Sequence, residues 1–236
     1  MPQQLVDSIR SRGYWRINFR PTRPDPDAPV TLDRCFSLVN ANSVSLRGWD
    51  YPHIPHRQGT DTAVERHDSF VEGWTDWYDH REFWRMYAST QFLHYRALYE
   101  DWPERGMHRN PAGVGRPEQP TLGVTSNLWL IAEVFEFLSR LTGSAAMYRA
   151  GVDVSIGLIS GSTGRLLAIE DQRRMPFAYD RVTHAQRIVW ERTLSPSQTA
   201  EPRKLAQLTA ERLFDRFGWT PAAGQLTSEI DNLYAL

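Results

Sequence analysis

The chain has 236 residues, 27 of them basic and 28 acidic, for a net charge of −1. That length supports one substantial core, and the near balance of charge excludes a whole-molecule field that would draw the protein onto nucleic acid or an anionic membrane. Lys204 is the only lysine and lies in Pro202-Arg203-Lys204-Leu205 without a glycine-rich loop, which excludes phosphate-binding P-loops, Schiff-base chemistry and Ser-Lys hydrolases.

The remaining basic residues are arginines spread along the whole chain. This fits genome composition better than selection for planar, bidentate contacts. Cys35 is the only cysteine, so neither an intramolecular disulfide nor a multi-cysteine zinc site is available, and a reducing compartment fits. The first 13 residues, MPQQLVDSIRSRG, contain no apolar signal core, and the most apolar stretch, residues 128–141, is interrupted by Glu133 and Glu136. A cytoplasmic protein without a membrane span is the expectation.

In chain order, Trp15, Ile17 and Phe19 alternate and predict a strand over residues 14–20. After a proline-rich loop at 21–29, Thr31 caps a short helix with Leu32, Cys35, Phe36 and Val39 on one face. Val44 and Leu46 suggest a second strand that ends at Arg47-Gly48-Trp49. From Asp68, the spacing of Phe70, Trp74 and Trp77 predicts a short helix to Asp79, followed by a hairpin in which residues 82–87 and 91–99 flank Ala88-Ser89-Thr90. A second loop-like stretch at 103–120 makes a possible division of the chain.

Residues 127–142 form the clearest predicted helix, capped by Thr125 or Ser126 and stopped by Gly143. Alternation at Val152, Val154, Ile156 and Leu158, then Gly161-Ser162-Thr163-Gly164, then Leu166, Leu167 and Ile169 predicts a β-hairpin, with 187–193 as a third antiparallel strand. Pro202 opens a helix to Phe217 that turns Leu205, Leu208, Leu213 and Phe217 inward and stops at Gly218. Strands and long helices without βαβ alternation predict an α+β fold: a mainly antiparallel sheet packed against two long helices, in a single domain over residues 1–236.

Chemistry concentrates in residues 47–102. The segment from Arg47 to His56 runs Arg-Gly-Trp-Asp-Tyr-Pro-His-Ile-Pro-His and presents Asp50, His53 and His56 on a proline-stiffened loop beside Trp49 and Tyr51. With His67 or Asp68, these side chains would make a zinc or other divalent-metal site, although Pro52 and Pro55 exclude the helical spacing such pairs usually use. Asp79-His80-Arg81-Glu82, with His94 on the following strand, offers a His beside a carboxylate, the arrangement a general base needs; His80, Glu82 and His94 are the catalytic candidates. Trp74, Trp77 and Trp84 join Trp49 in an aromatic density that serves either core packing or a binding surface.

Arginines also interleave with aromatics at 14–23 and 81–85, as in single-strand and RNA binders, but Asp76, Asp79, Glu82, Glu100 and Asp101 oppose that reading. No Gly-x-Ser-x-Gly elbow occurs, and Cys35 has no adjacent His, so serine or cysteine nucleophiles find no support.

The segments SVSLRGWDYPHI (43–54) and HREFWRMYASTQFLHYRALYED (80–101) resemble a family of uncharacterised bacterial proteins that share an RGW-aromatic-PH segment and a WR-x-Y-x-S-x-QF-x-H segment. The likeness covers about the first half of the chain and implies a bacterial, intracellular protein, with no activity and no catalytic residue to carry over.

The leading expectation is therefore a binding or accessory subunit that recognises a partner protein or ligand through Arg47, Trp49, Asp50, Tyr51, His53, His56, Trp74, Trp77 and Trp84, without a favoured cofactor. A protein partner or homo-oligomer is expected. The first alternative is a metal-dependent hydrolase or nuclease using Asp50, His53, His56, His80 and His94, with His67 as a further metal ligand; the second is an RNA or single-stranded DNA binder.

Overall fold

The computed structural model describes residues 2–23, 30–77, 80–102, 119–171 and 174–235. The proposed division at 103–120 and the candidate Asp79 therefore lie almost wholly or wholly outside the described residues. Seven strands form one antiparallel sheet: β1 (Tyr14–Pro21), β2 (Thr62–Arg66), β3 (Phe70–Asp76), β4 (Arg81–Tyr87), β5 (Phe92–Ala97), β7 (Val152–Ile159) and β10 (Arg187–Leu194), in the order β10-β7-β1-β5-β4-β3-β2. A second, three-stranded sheet has the order β6-β8-β9, from β6 (Thr121–Gly123), β8 (Arg165–Ala168) and β9 (Val182–Thr183).

The helices are α1 (Pro2–Arg10), α2 (Leu32–Asn42), α3 (Val124–Ser144), α4 (Pro196–Thr199), α5 (Pro202–Asp215) and α6 (Gln225–Tyr234). The α+β class is as expected, but α3 and α5 do not stand alone against the sheet: α2 and α6 pack with α3. Trp15, Ile17, Phe19, Trp84, Met86, Phe92, Val154, Ile156 and Leu158 meet α2 and α3 in the larger core. On the opposite face, Tyr14, Trp74, Phe83 and Ala97 meet Leu5, Val6 and Ile9 of α1 in a smaller one. Two covered faces make β3 and β4 apolar on both sides, and both strands carry residues of each core.

That double burial explains the main departure from expectation. Residues 70–76 are strand β3, not a helix. Positions i and i+4 share a face in a strand as well as in a helix, so Phe70 and Trp74 satisfy both periods. Gly73, paired with Trp84 across the ladder, leaves room for the indole: a Cβ there would lie 2.5 Å from the Trp84 ring.

Residues 152–169 are not a hairpin. Both edges of β7 are taken, by β1 and β10, so β8 turns away and pairs in parallel with β6. Arg165 anchors that departure. Its buried guanidinium forms a bidentate pair with Asp101 at 2.9 and 2.7 Å and donates to the Ser160 and Thr121 carbonyls, both at 2.6 Å.

Val44 and Leu46 form no strand; Val44 makes a single antiparallel bridge to Tyr51. Helix α3 is capped neither by Thr125 nor by Ser126 but by a distant carboxylate, since Glu170 Oε2 accepts from the Thr125 and Ser126 amides at 2.6 and 3.2 Å. Gly143 lies inside that helix rather than ending it. Helix α5 ends at Asp215, three residues before the left-handed Gly218, and its Leu208 is 46% exposed instead of inward.

Candidate functional site

The hairpin β4–β5 carries one polar stripe on its face toward α3. Register pairs Glu82 with Arg96 and Trp84 with His94, so alternation places these four side chains on the same side of the sheet. Glu82 and His94 are fully buried there. Such charge survives burial only when its partners are built in.

The loop from Ser43 to His56 supplies them. It is held closed by two hydrogen bonds between Val44 and Tyr51, of 2.8 and 2.7 Å, and its Tyr51–Pro52 peptide bond is cis. The His53 amide donates to Glu82 Oε1 at 2.5 Å, and the Trp84 indole donates back to the His53 carbonyl at 2.8 Å. Glu82 Oε2 receives His80 Nε2 at 2.8 Å, with His94 Nε2 at 3.6 Å and Arg96 Nη1 at 3.8 Å. The Tyr51 hydroxyl lies 3.1 Å from His94 Nδ1.

Burial alone would raise the Glu82 carboxyl, but the adjacent His80, through charge and its hydrogen bond, and the nearby His94 ring outweigh it and hold Glu82 well below its usual value. Burial lowers His80, and Glu82 only partly offsets it. Tyr51 is pushed well above its ordinary value by burial and by the Glu82 charge. A buried carboxylate thus stays ionised, and His80 donates to it through its Nε2 hydrogen. Every strong partner of Glu82 is internal.

A second pair sits one step nearer the surface. His53 Nδ1 lies 2.6 Å from Asp50 Oδ1, while Asp50 Oδ2 accepts the Ile54 amide at 2.7 Å. Burial raises Asp50, yet the His53 and Ile54 hydrogen bonds together bring its carboxyl below the usual value. An ionised Asp50 only accepts, so His53 Nδ1 carries a hydrogen; in the neutral ring Nε2 is then an acceptor.

His53 Nε2 is buried and has no partner, and the same holds for the neighbouring Trp49 Nε1. The two rings stack at 4.6 Å with 22° between their planes. Trp77 meets Trp49 edge-on at 5.4 Å and His53 at 5.1 Å, His80 lies 4.9 Å from Trp49, and the Arg57 guanidinium stands 5.8 Å over Trp77. Trp49 and Trp77 are half-buried, and Gly48, exposed at φ 75°, carries the corner before Trp49.

The structure thus brings Asp50, His53, His80, Glu82, His94 and Tyr51 together with Trp49 and Trp77. It separates others expected with them. Trp74 and Trp84 are core residues, on opposite faces of the sheet, and present no surface for binding. His56 is exposed and meets His53 edge-on at 6.5 Å. His67 instead joins Glu72 at 3.1 Å and Glu65 at 3.8 Å by the β2–β3 turn.

Among the described residues, the three-donor group whose ligand atoms lie within 4.8 Å of one another is Glu65, His67 and Glu72. Asp50, His53, His56 and His67, the set expected for a divalent ion, do not form such a group.

Arg47 does not face the aromatic site. It forms a fork with the buried Glu133 of α3, at 2.8 and 2.5 Å, and so clamps the start of the loop to the core. Sequence reading missed this partner and Arg96; the available signal was a single acid in the otherwise apolar run 130–134. The large apolar side chains that are exposed among the described residues, Met175, Tyr179 and Leu208, lie outside the aromatic middle. No helix among the described residues is long and apolar enough to cross a membrane. The chain matches no family model, and neither a curated protein nor a solved structure is significantly similar to it.

Proposed function

We propose that the protein is a binding module whose Trp49–His53 corner takes up a small ligand offering a hydrogen-bond acceptor and donor side by side, as an amide or a nucleobase edge does. The observation that carries this reading is the pair of unpartnered buried nitrogens, Trp49 Nε1 as donor and His53 Nε2 as acceptor, on stacked rings. Each orphaned polar atom costs about 1–3 kcal/mol, which a cluster with a purely structural role gains nothing by keeping. Trp77 and His80 supply the walls, and movement of the half-buried Trp49 about Gly48 supplies access. Burial of Trp74, Trp84 and Tyr51 favours a small ligand over a partner protein at this place, because the rings left at the surface are few.

The test is titration of nitrogen-15-labelled protein with acetamide, uracil and adenine while the indole N–H resonances are followed. Saturable shifts of the Trp49 signal, lost in His53→Phe, are expected. If none of the three moves that signal, the reading is wrong.

A second reading, a metal-dependent hydrolase or nuclease, draws on the Asp50–His53 contact, since a carboxylate on Nδ1 is the usual way to orient an imidazole that binds metal through Nε2. Elemental analysis of tag-free protein decides it. Stoichiometric zinc or manganese that disappears in His53→Ala would replace the first reading with this one.

A further inference from the structure

The groove between β10 and α5 is the other place where chemistry-bearing side chains gather without partners. It encloses a cavity of about 430 Å³ lined by Trp15, Ile156, Ile188, Trp190 and Leu213 on the apolar side and by Arg187, Arg212, Arg216 and Asp215 at the rim. A space of that size holds a small organic molecule. Three guanidiniums against one carboxylate leave a local charge of about +2 in a protein whose net charge is −1.

Two features mark this rim. Elsewhere in the described residues, many arginines are tied to carboxylates, as Arg20 is to Asp153, Arg85 to Glu72, Arg140 to Glu136 and Arg203 to Asp231, and unpaired ones such as Arg10 and Arg34 lie on separate elements. The guanidiniums of Arg187, Arg212 and Arg216 have no ion pair and no hydrogen bond among the described residues, even though Asp215 is adjacent in sequence to Arg216. The second feature is Thr209, which also lines the cavity. It is only 3% exposed, and its hydroxyl is buried without a partner.

A buried hydroxyl with nothing to bond is costly, and a helix offers Thr the carbonyl four residues back as a ready alternative. That Thr209 does not use it leaves an unpaired donor within the cavity wall, closed to solvent.

We propose that this cavity binds a small organic oxyanion, a phosphate or carboxylate carried on a flat apolar body. The body lies against Trp190, Ile188 and Leu213, and the oxyanion meets Arg187, Arg212 and Arg216, whose planar forks suit two-oxygen contacts. The Thr209 hydroxyl, closed within the wall of the free cavity, donates to the ligand as the ligand parts that wall. Because β10 is an edge strand of the large sheet, with β7 on its other side, the groove lies far along the strand order from β4 and β5 and shares no residue with the Trp49–His53 corner.

Calorimetric titration with phenyl phosphate, benzoate and benzyl alcohol tests the proposal. Saturable binding of phenyl phosphate or benzoate is expected, and the stronger of the two identifies the oxyanion; benzyl alcohol, which lacks the charge, is expected not to bind. Arg187→Gln and Arg212→Gln, both exposed and removing no ion pair or side-chain hydrogen bond, should each weaken binding roughly tenfold. Thr209→Val should weaken it several-fold while raising the melting temperature of the free protein, since an unsatisfied polar group is removed. Absence of saturable binding by both anions overturns the proposal, as does equal binding of benzyl alcohol, or affinity unchanged in the two arginine variants or in Thr209→Val.

Discussion

The loop at residues 47–56 and the groove between β10 and α5 both set cationic groups beside tryptophan, yet they treat them in opposite ways. In the loop and the His80 beside it, the ionisable groups are largely answered from within the chain: Arg47 by Glu133, His53 by Asp50, and His80 by Glu82. Along the groove, the guanidiniums of Arg187, Arg212 and Arg216 have no carboxylate partner among the described residues. Charge that is paired and buried holds a loop in one shape, whereas charge left unpaired at a rim contributes little to folding and remains available to a ligand. The two regions should therefore part company in stability measurements.

Trp84→Ala is expected to have the largest effect. It removes a fully buried indole, its hydrogen bond to the His53 carbonyl and its packing over Gly73, at a cost of about 4 kcal/mol, read from the urea midpoint. Next comes Arg47→Leu, which leaves the buried Glu133 carboxylate without its fork and should cost about 3 kcal/mol. Glu133→Leu should cost clearly less, because the partly exposed Arg47 then turns to solvent. Equal losses from the two variants would mean that packing, rather than the unpaired charge, sets the cost.

The pH dependence is smaller and has a definite sign. His80 is lowered from its ordinary value of 6.5, so the unfolded chain takes up the proton first and stability falls as pH drops through 6.5 toward the folded value. Glu82, lowered well below 4.5, adds a further loss as pH falls below 4.5. His80→Gln keeps a donor to Glu82 but does not titrate, and melting temperatures between pH 5 and 7 should then vary less with pH. Glu100 acts in the reverse sense. Burial pushes it up to about 7, so its contribution is lost as pH rises from 4.5 through 7, and Glu100→Gln should raise the melting temperature at pH 8 relative to pH 4.

The smallest effect is expected for Arg212→Gln in the groove, within about 0.5 kcal/mol of the parent. A loss near that of Arg47→Leu would show that the groove is a structural cluster after all and remove the contrast between the two regions.

How much of this was legible depends on whether the signal is local. The alternation of Trp15, Ile17 and Phe19, the Thr31 cap and the turn at Ala88-Ser89-Thr90 appear in the structure where short-range patterning puts them. Strand β3 was not legible because a strand covered on both faces loses its alternation, and its i, i+4 aromatics imitate a helix. The separation of β7 from β8 was not legible either, since it depends on β1 and β10 occupying both edges of β7, and these lie far from it in sequence.

In the candidate site, residue types singled out the 47–56 loop and the histidines at 80 and 94, because acid, imidazole and indole in that density are unusual. Which of them meet was decided by the register of β4 against β5 and by the loop folding back over it: Glu82 became the shared acceptor, Trp74 and Trp84 passed into the two cores, and His67 went to another partner. The sequence by itself determined the α+β class, the strands and helices with single-faced patterns, and the region where polar chemistry concentrates, because these follow from the near-neighbour period of the chain. Only the tertiary structure decided which polar atoms are satisfied, since a partner dozens of residues away leaves no local mark. That decision left His53 Nε2, Trp49 Nε1 and the Thr209 hydroxyl buried and open, and these are the atoms on which the functional proposals turn.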